Sequence, residues 1–178
     1  MSKEDLLQLP KEKLVELIEI YSKNWLALDG VWFQSVEDKF GMDEAMYHDY
    51  QAWERFTVIE AKRIKVFLGL AEHPGTAGLE TALKFRFYGN LNQCAFVRDE
   101  KTLIYRVLAC RVQTARERKG MCFHPCKMVG IVEYTKFAQE IDSRFRCECL
   151  SCYPDVTDSD VCCSWRFILD DSDCERNY

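Results

Sequence analysis

Hydrophobic residues recur at helical spacing through the first half of the chain and at alternate positions through much of the second. Leu14, Leu17, Ile18, Tyr21, Trp25 and Leu28 follow the i, i+3, i+4, i+7 rule and leave Lys11, Glu12, Glu16, Glu19 and Lys23 for water, which predicts a helix over 11–28. Asp29 fits an N-cap with Gly30 after it, so a second, short helix is expected through Phe40, stopping at Gly41. Asp43 can cap the next helix, which runs to Leu68 before Gly69 and buries Met46, Trp53, Phe56, Ile59, Ile64 and Phe67. His73-Pro74-Gly75 is a breaker, and a helix over 77–88 puts Leu79, Leu83 and Phe87 on one stripe.

After Gly89-Asn90 the period changes. Cys94–Arg98 and Thr102–Val112 read as strands joined at Asp99-Glu100-Lys101, a hairpin. Gln113–Cys126 is basic and irregular, and Lys127–Ile141 is a helix carrying Met128, Ile131, Val132, Phe137 and Ile141. Asp142-Ser143 breaks it, and strands over 144–151 and 162–169 form a second hairpin with thiols near its tip. The expected class is α+β, with N-terminal helices packed on a four-stranded sheet of ββαββ order. One domain is expected over 1–178, made of a helical part (1–89), a ββαββ part with a cysteine-rich end (90–170) and an acidic tail (171–178).

Composition sharpens this picture in three ways. A chain of 178 residues, 48% of them hydrophobic, suits one domain with a sizeable core. The net charge of −5 makes the whole molecule a poor polyanion binder, and no nucleic-acid module signature is present. No apolar run is long enough to span a bilayer, and Met1-Ser2-Lys3-Glu4-Asp5 lacks the apolar core of a secretion signal, so a cytoplasmic location is expected.

Ten cysteines then need a reason, because disulfides are disfavoured in that compartment. Seven of the ten lie between Cys122 and Cys163. Topology gathers them. If the 102–112 strand climbs, Cys110 is at its top; the helix descends from Cys126; the third strand climbs to Cys149 and Cys152; the fourth starts there with Cys162 and Cys163. Within that fourth strand Cys163, Trp165 and Phe167 share the inward face. Cys149-Leu150-Ser151-Cys152 is a C-x-x-C pair, and Cys126 and Cys163 complete a four-thiolate set suited to zinc or to an iron–sulfur cluster. Buried reduced thiols and a redox pair are the competing readings. His124 is a substitute ligand, and Cys110 is a spare thiol and candidate nucleophile.

Charge adds a candidate ligand site. Arg111, Gln113 and Arg116 leave the second strand at the thiol end, and an extended chain would put Arg111 and Gln113 on one face to clamp a small carboxylate or phosphate. The plainer reading is that this basic segment and the acidic 153–175 segment neutralise one another. Trp32 and Trp53 sit at helix-core spacing and could instead line an apolar pocket. Nucleotide-binding, zincin and nucleophile-elbow motifs are absent, and the scattered His48, His73 and His124 give a histidine-based triad little support.

Asn24-Trp25, Asp29-Gly30-Val31-Trp32-Phe33, Ala52-Trp53-Glu54-Arg55-Phe56 and Glu60-Ala61-Lys62-Arg63-Ile64 resemble the N-terminal half of a family of uncharacterised prokaryotic cytosolic proteins. Cys110-Arg111-Val112-Gln113-Thr114-Ala115-Arg116, Pro125-Cys126-Lys127, Glu133-Tyr134 and Cys163-Ser164-Trp165-Arg166-Phe167 resemble its C-terminal half. The thiols before a C-x-W-x-F strand are more remotely similar to 4-vinyl reductase domains and to the L-2-amino-thiazoline-4-carboxylate hydrolase family, although the glycine pattern of the former is missing between Cys152 and Cys163. Those resemblances imply an α+β ligand-binding fold with cysteines at one end. The expected function is a cytosolic metal-binding protein, a sensor for instance, that holds a small anionic molecule, with a second copy of the chain as a candidate partner. The alternative is a hydrolase of a small amino-acid-like or heterocyclic carboxylic acid, using Cys110 or a metal-bound water.

Overall fold

The computed structural model describes residues 2–170, so the tail expected over 171–178 lies outside the described residues. After a short helix α1 (Lys3–Leu7), closed by a reciprocal Ser2–Asp5 capping box, the chain enters one long helix, α2 (Lys11–Phe40). The expected break at Asp29-Gly30 does not occur. Gly30 has no positive φ, and Asp29 turns its carboxyl toward the molecule's interior instead of capping backbone N–H groups. The helix ends at Gly41, whose φ of 90° lets α3 (Met42–Leu68) fold back along α2. Ring pairs Trp32–His48 and Trp25–Trp53 record that antiparallel packing.

Helix α4 (Gly75–Lys84) stops earlier than its apolar stripe suggests, and a 3-10 turn follows over Phe87–Asn90. Between them Arg86 is extended, at φ −63° and ψ 152°. Its guanidinium is drawn into the core between Glu60 and Glu133, and Phe87 swings onto Trp25 at 4.3 Å instead of continuing the Leu79–Leu83 stripe.

Four strands follow: β1 (Gln93–Arg98), β2 (Thr102–Ala109), β3 (Phe145–Cys152) and β4 (Cys163–Leu169). Asp99 closes the first hairpin, its Oδ1 accepting from the N–H groups of Lys101 and Thr102 at 2.8 and 2.7 Å. The sheet order is β1-β2-β4-β3 and every neighbouring pair is antiparallel. Strands β2 and β3 therefore run parallel with β4 between them, and α6 (Lys127–Ile141) makes the crossover that links them. Its Tyr134, Phe137 and Ile141 share one core with Leu103, Tyr105, Trp165 and Phe167 of the sheet, and α3 packs along α6 on the other side.

The second strand is shorter than its sequence suggests. It ends at Ala109, and α5 (Arg111–Arg118) begins at once, with Asn92 Oδ1 accepting from the Arg111 N–H at 3.0 Å. Gln, Ala, Arg and Glu are good helix formers, so local propensity agrees once that first turn is held. The extended face expected to carry both Arg111 and Gln113 therefore does not form.

Candidate functional site

A cavity of about 360 Å³ opens between α2, α3, α5, α6 and the thiol end of the sheet. Trp53, Tyr88, Tyr134 and Trp165 give it aromatic walls, and Phe33, Val107 and Val129 add aliphatic and ring surface. Of its charged residues, Lys23, Arg111, Arg118 and Lys119 are exposed at the mouth, while Asp49, His124 and Glu133 are buried inside with Asp29 part-buried beside them; Arg116 is buried too, its charge taken by Glu37. An apolar chamber with a few placed polar groups is the usual form of a small-molecule site.

The thiol end forms through one irregularity. Cys149 pairs with Trp165 and Cys152 with Cys163, and the register shifts by one residue between Cys149 and Ser151. In a regular strand, residues three apart face opposite ways; the extra residue turns Cys149 and Cys152 to the face shared by Cys163 and Trp165. Cys152 hydrogen-bonds Cys126 and Cys163; the contact with Cys126 first, and burial, hold its thiol well above the ordinary range against the opposing pull of Cys163. Cys163 is raised for the same reason, the contact with Cys152 first. Burial pushes Cys110 up to about 11 and Cys147 to about 12. All cysteines of the described residues are free thiols. A zinc ion or cluster needs several thiolates around one point. Among the described residues no three His, Cys, Asp or Glu side chains are grouped to hold a metal ion, so the four-thiolate set has no formed geometry here.

Cys126 differs from its neighbours. His124 Nδ1 lies 3.1 Å from Cys126 Sγ, and His124 Nε2 lies 3.1 Å from Asp49 Oδ2. With its Nε2–H given to Asp49, the imidazole turns the Nδ1 lone pair to the thiol. The Gln113 amide donates to His124 O at 2.8 Å and to Cys126 Sγ at 3.2 Å, and its oxygen accepts from the His124 N–H at 3.0 Å. Arg116 fixes the same loop, donating to Cys122 O and forming a two-pronged pair with Glu37 at 2.6 and 2.8 Å. Phe33 packs on the imidazole at 4.7 Å.

Burial first, and the nearby Asp49 charge second, raise Asp29 to about 6. Burial raises Glu133 to about 7 against the opposing pull of Arg86. A carboxyl whose folded value is raised contributes stability below its unfolded value and loses it as pH rises through the folded value, so Asp29 weakens the fold between pH 4 and 6 upward. Asp29→Asn removes that loss. Its melting curve should gain on the wild type as pH rises from 4 to 7, by up to about 3 kcal/mol at pH 7, and the two should converge at pH 4. Denaturant melts of both chains across that range check it; an equal pH slope would show that Asp29 is not the group responsible.

The expected site residues divide as follows. Cys110, Cys126, Cys152, Cys163, Trp53, Arg111 and Arg116 all line the cavity. Cys149 sits beside Cys152 outside the lining, and Gln113 works from behind the 124–126 turn. Trp32 is 48% exposed, packs edge-on to His48 and does not line the cavity. Arg116 is committed to Glu37, whereas among the described residues no carboxylate pairs with the Arg111 side chain. The segments expected to neutralise one another meet only in part, through Lys127–Asp155 at 2.7 Å and Arg106–Asp158 at 2.8 Å. Asp29, Asp49 and Glu133 were not expected here, and His124 was expected only as a substitute ligand. A signal existed for Asp49: it falls in phase with Ala45, Met46, Trp53 and Thr57, on the buried stripe of α3.

Residues 7–169 match the profile of a family of unknown function, DUF6125, and the chain belongs to that family. No curated protein and no solved structure matches it. Among the described residues no helix is long and apolar enough to cross a membrane.

Proposed function

We propose, from the premise of membership in that family, that the chain binds a small aromatic or heterocyclic carboxylic acid in the cavity. The observation that carries this reading is the division of the cavity itself: aromatic walls inside, buried carboxyls at the far end and basic side chains at the mouth. A flat apolar body stacks between the rings, its carboxylate meets Arg111, and an N–H or amino group at its other end faces Asp29, Asp49 or Glu133. The deep carboxyls disfavour an anion placed wholly inside, so the bound charge belongs at the mouth.

Thermal-shift measurements over a panel of aromatic and heterocyclic carboxylates test the reading. A binder should raise the melting temperature of the wild type. Arg111→Ala should keep the wild-type melting temperature without ligand and weaken the binder by roughly ten- to a hundredfold, the loss of one charge-assisted hydrogen bond. Gly30 lines the cavity, and a Cβ there meets only Gln34 Nε2, at 3.9 Å. Gly30→Leu should therefore fold and block the chamber. A panel without a single stabilising acid, or a binder indifferent to both variants, would remove the basis for the proposal.

A further inference from the structure

We infer that Cys126, His124 and Asp49 form a thiol acyl-transfer centre that hydrolyses an ester or amide carbonyl of a compound held in the cavity. This rests on the cavity reading and adds chemistry to it. Each part of such a centre is present. The nucleophile touches a base, Sγ to Nδ1 at 3.1 Å, and the base touches an orienting carboxylate, Nε2 to Oδ2 at 3.1 Å. All three side chains line the same chamber. The Gln113 amide, donating to Sγ at 3.2 Å from behind the 124–126 turn, fixes the sulfur beside His124. His124 and Asp49 are buried, so the relay is fixed before any ligand arrives.

The step balances without a cofactor. Sγ attacks the carbonyl carbon and its proton passes to His124 Nδ1. The tetrahedral intermediate collapses, the bond from carbon to the leaving oxygen or nitrogen breaks, and His124 returns the proton to the leaving group. Water then attacks the thioester, the C–S bond breaks, the sulfur recovers a proton through His124, and a carboxylic acid departs. Cys126 and His124 are catalytic residues in this scheme, and Asp49 is a positioning residue that acts through His124.

The test uses the full, reduced chain and p-nitrophenyl acetate. A rapid release of one equivalent of p-nitrophenolate is expected, with the acetyl group mapped by peptide mass spectrometry to Cys126. The exposed Cys122 is the internal reference, and Cys122→Ser should leave the burst unchanged. Cys126→Ser should abolish it. His124→Asn should slow acetylation of Cys126 roughly a hundredfold, the usual contribution of a general base. Asp49→Asn, whose amide oxygen still accepts from Nε2, should retain more of the rate than Asp49→Ala at matched melting temperatures; a purely structural Asp49 would show no such ordering. If His124→Asn fails to fold, the wild-type map decides alone, because an ordinary thiol at Cys126 would react no faster than the more exposed Cys122. Acetyl found on Cys122 or on lysines only, or a rate unmoved by His124→Asn, overturns the centre. The two readings fail separately. A panel acid that stabilises a chain whose Cys126 is not acetylated leaves the cavity and removes the triad. Acetylation at Cys126 that Gly30→Leu does not slow, in a chain no acid stabilises, leaves the triad and removes the cavity.

Discussion

Arg86→Met should destabilise the fold by about 3–5 kcal/mol, the cost of stripping the partner from a buried charge. Arg86 is 3% exposed. Its Nε donates to Glu60 Oε2 at 2.9 Å, and its Nη1 lies 2.7 Å from Glu133 Oε1. Phe137 lies under the guanidinium at 4.7 Å, with Trp53, Tyr88 and Tyr134 around it within 5.7 Å. Methionine fills most of that volume, so the loss is one of charge more than of packing. Glu60 and Glu133 would be left buried without a cation, and Glu133, which burial already raises against the pull of Arg86, would then favour its protonated form further. The deficit should therefore shrink as pH falls from 8 to 5, and Glu60→Gln with Glu133→Gln in the Arg86→Met background should recover much of it. Denaturant melts at both pH values check this; a deficit that is the same at pH 5 and pH 8 would mean that packing dominates. Arg86 also forms part of the floor beneath the cavity's aromatic wall, which links the largest expected stability effect to the site.

Gly130→Ala should also be strongly destabilising. A Cβ at Gly130 would lie 2.6 Å from two atoms of the Trp165 ring, and Trp165 is 1% exposed, with Tyr134 packed against it at 4.7 Å. Alanine gains roughly 1 kcal/mol of helix propensity over glycine, but overpacking a closed core costs typically 1–3 kcal/mol and more when the neighbour is a rigid ring. With the cost taken at about 3 kcal/mol because the ring is rigid, subtracting that gain leaves an expected net loss of about 2 kcal/mol. Gly30→Ala is the control. It too is a helical glycine, and its Cβ meets only Gln34 Nε2 at an ordinary 3.9 Å, so it should gain about 0.5–1 kcal/mol. Opposite signs from one substitution at two helical glycines, read by thermal or denaturant melts, would locate the tight contact at α6 and the ordinary one at α2. Equal signs would contradict that geometry.

The sheet was largely legible because its signals are local. Residues alternate in and out along β4, and Asp99 closes its own turn, so the strands and the first hairpin follow from short stretches. Two of the departures of extent have a different origin. Asp29-Gly30 looks like a helix start, but Trp25 and Phe33 on either side of it pack into one cluster with α3, and that packing outweighs a cap worth about 1 kcal/mol. The run from Val107 to Val112 looks like one strand, but the Arg111 N–H is held by Asn92, which lies on another segment. Convergence of Cys110, Cys126, Cys152 and Cys163 could be reasoned from chain direction alone, because strand ends impose it. The Cys126–His124–Asp49 contact could not, since Asp49 is brought to His124 only by the packing of α3 on α6. A polar residue in phase with an apolar stripe is the trace that such packing leaves in a sequence.

The chamber's lining runs from Lys23 to Trp165 and draws on both the helical half and the sheet half of the chain. Its shape is thus not a property of any one segment that could be passed on alone. A chimera of two relatives joined near residue 90 would set one parent's Trp53 and Asp49 against the other parent's Trp165 and Cys126. Such a hybrid keeps every local folding signal and still inherits a chamber that neither parent had. Differences in ligand among relatives should accordingly be transferable by exchanging paired walls, and not by exchanging contiguous stretches of chain.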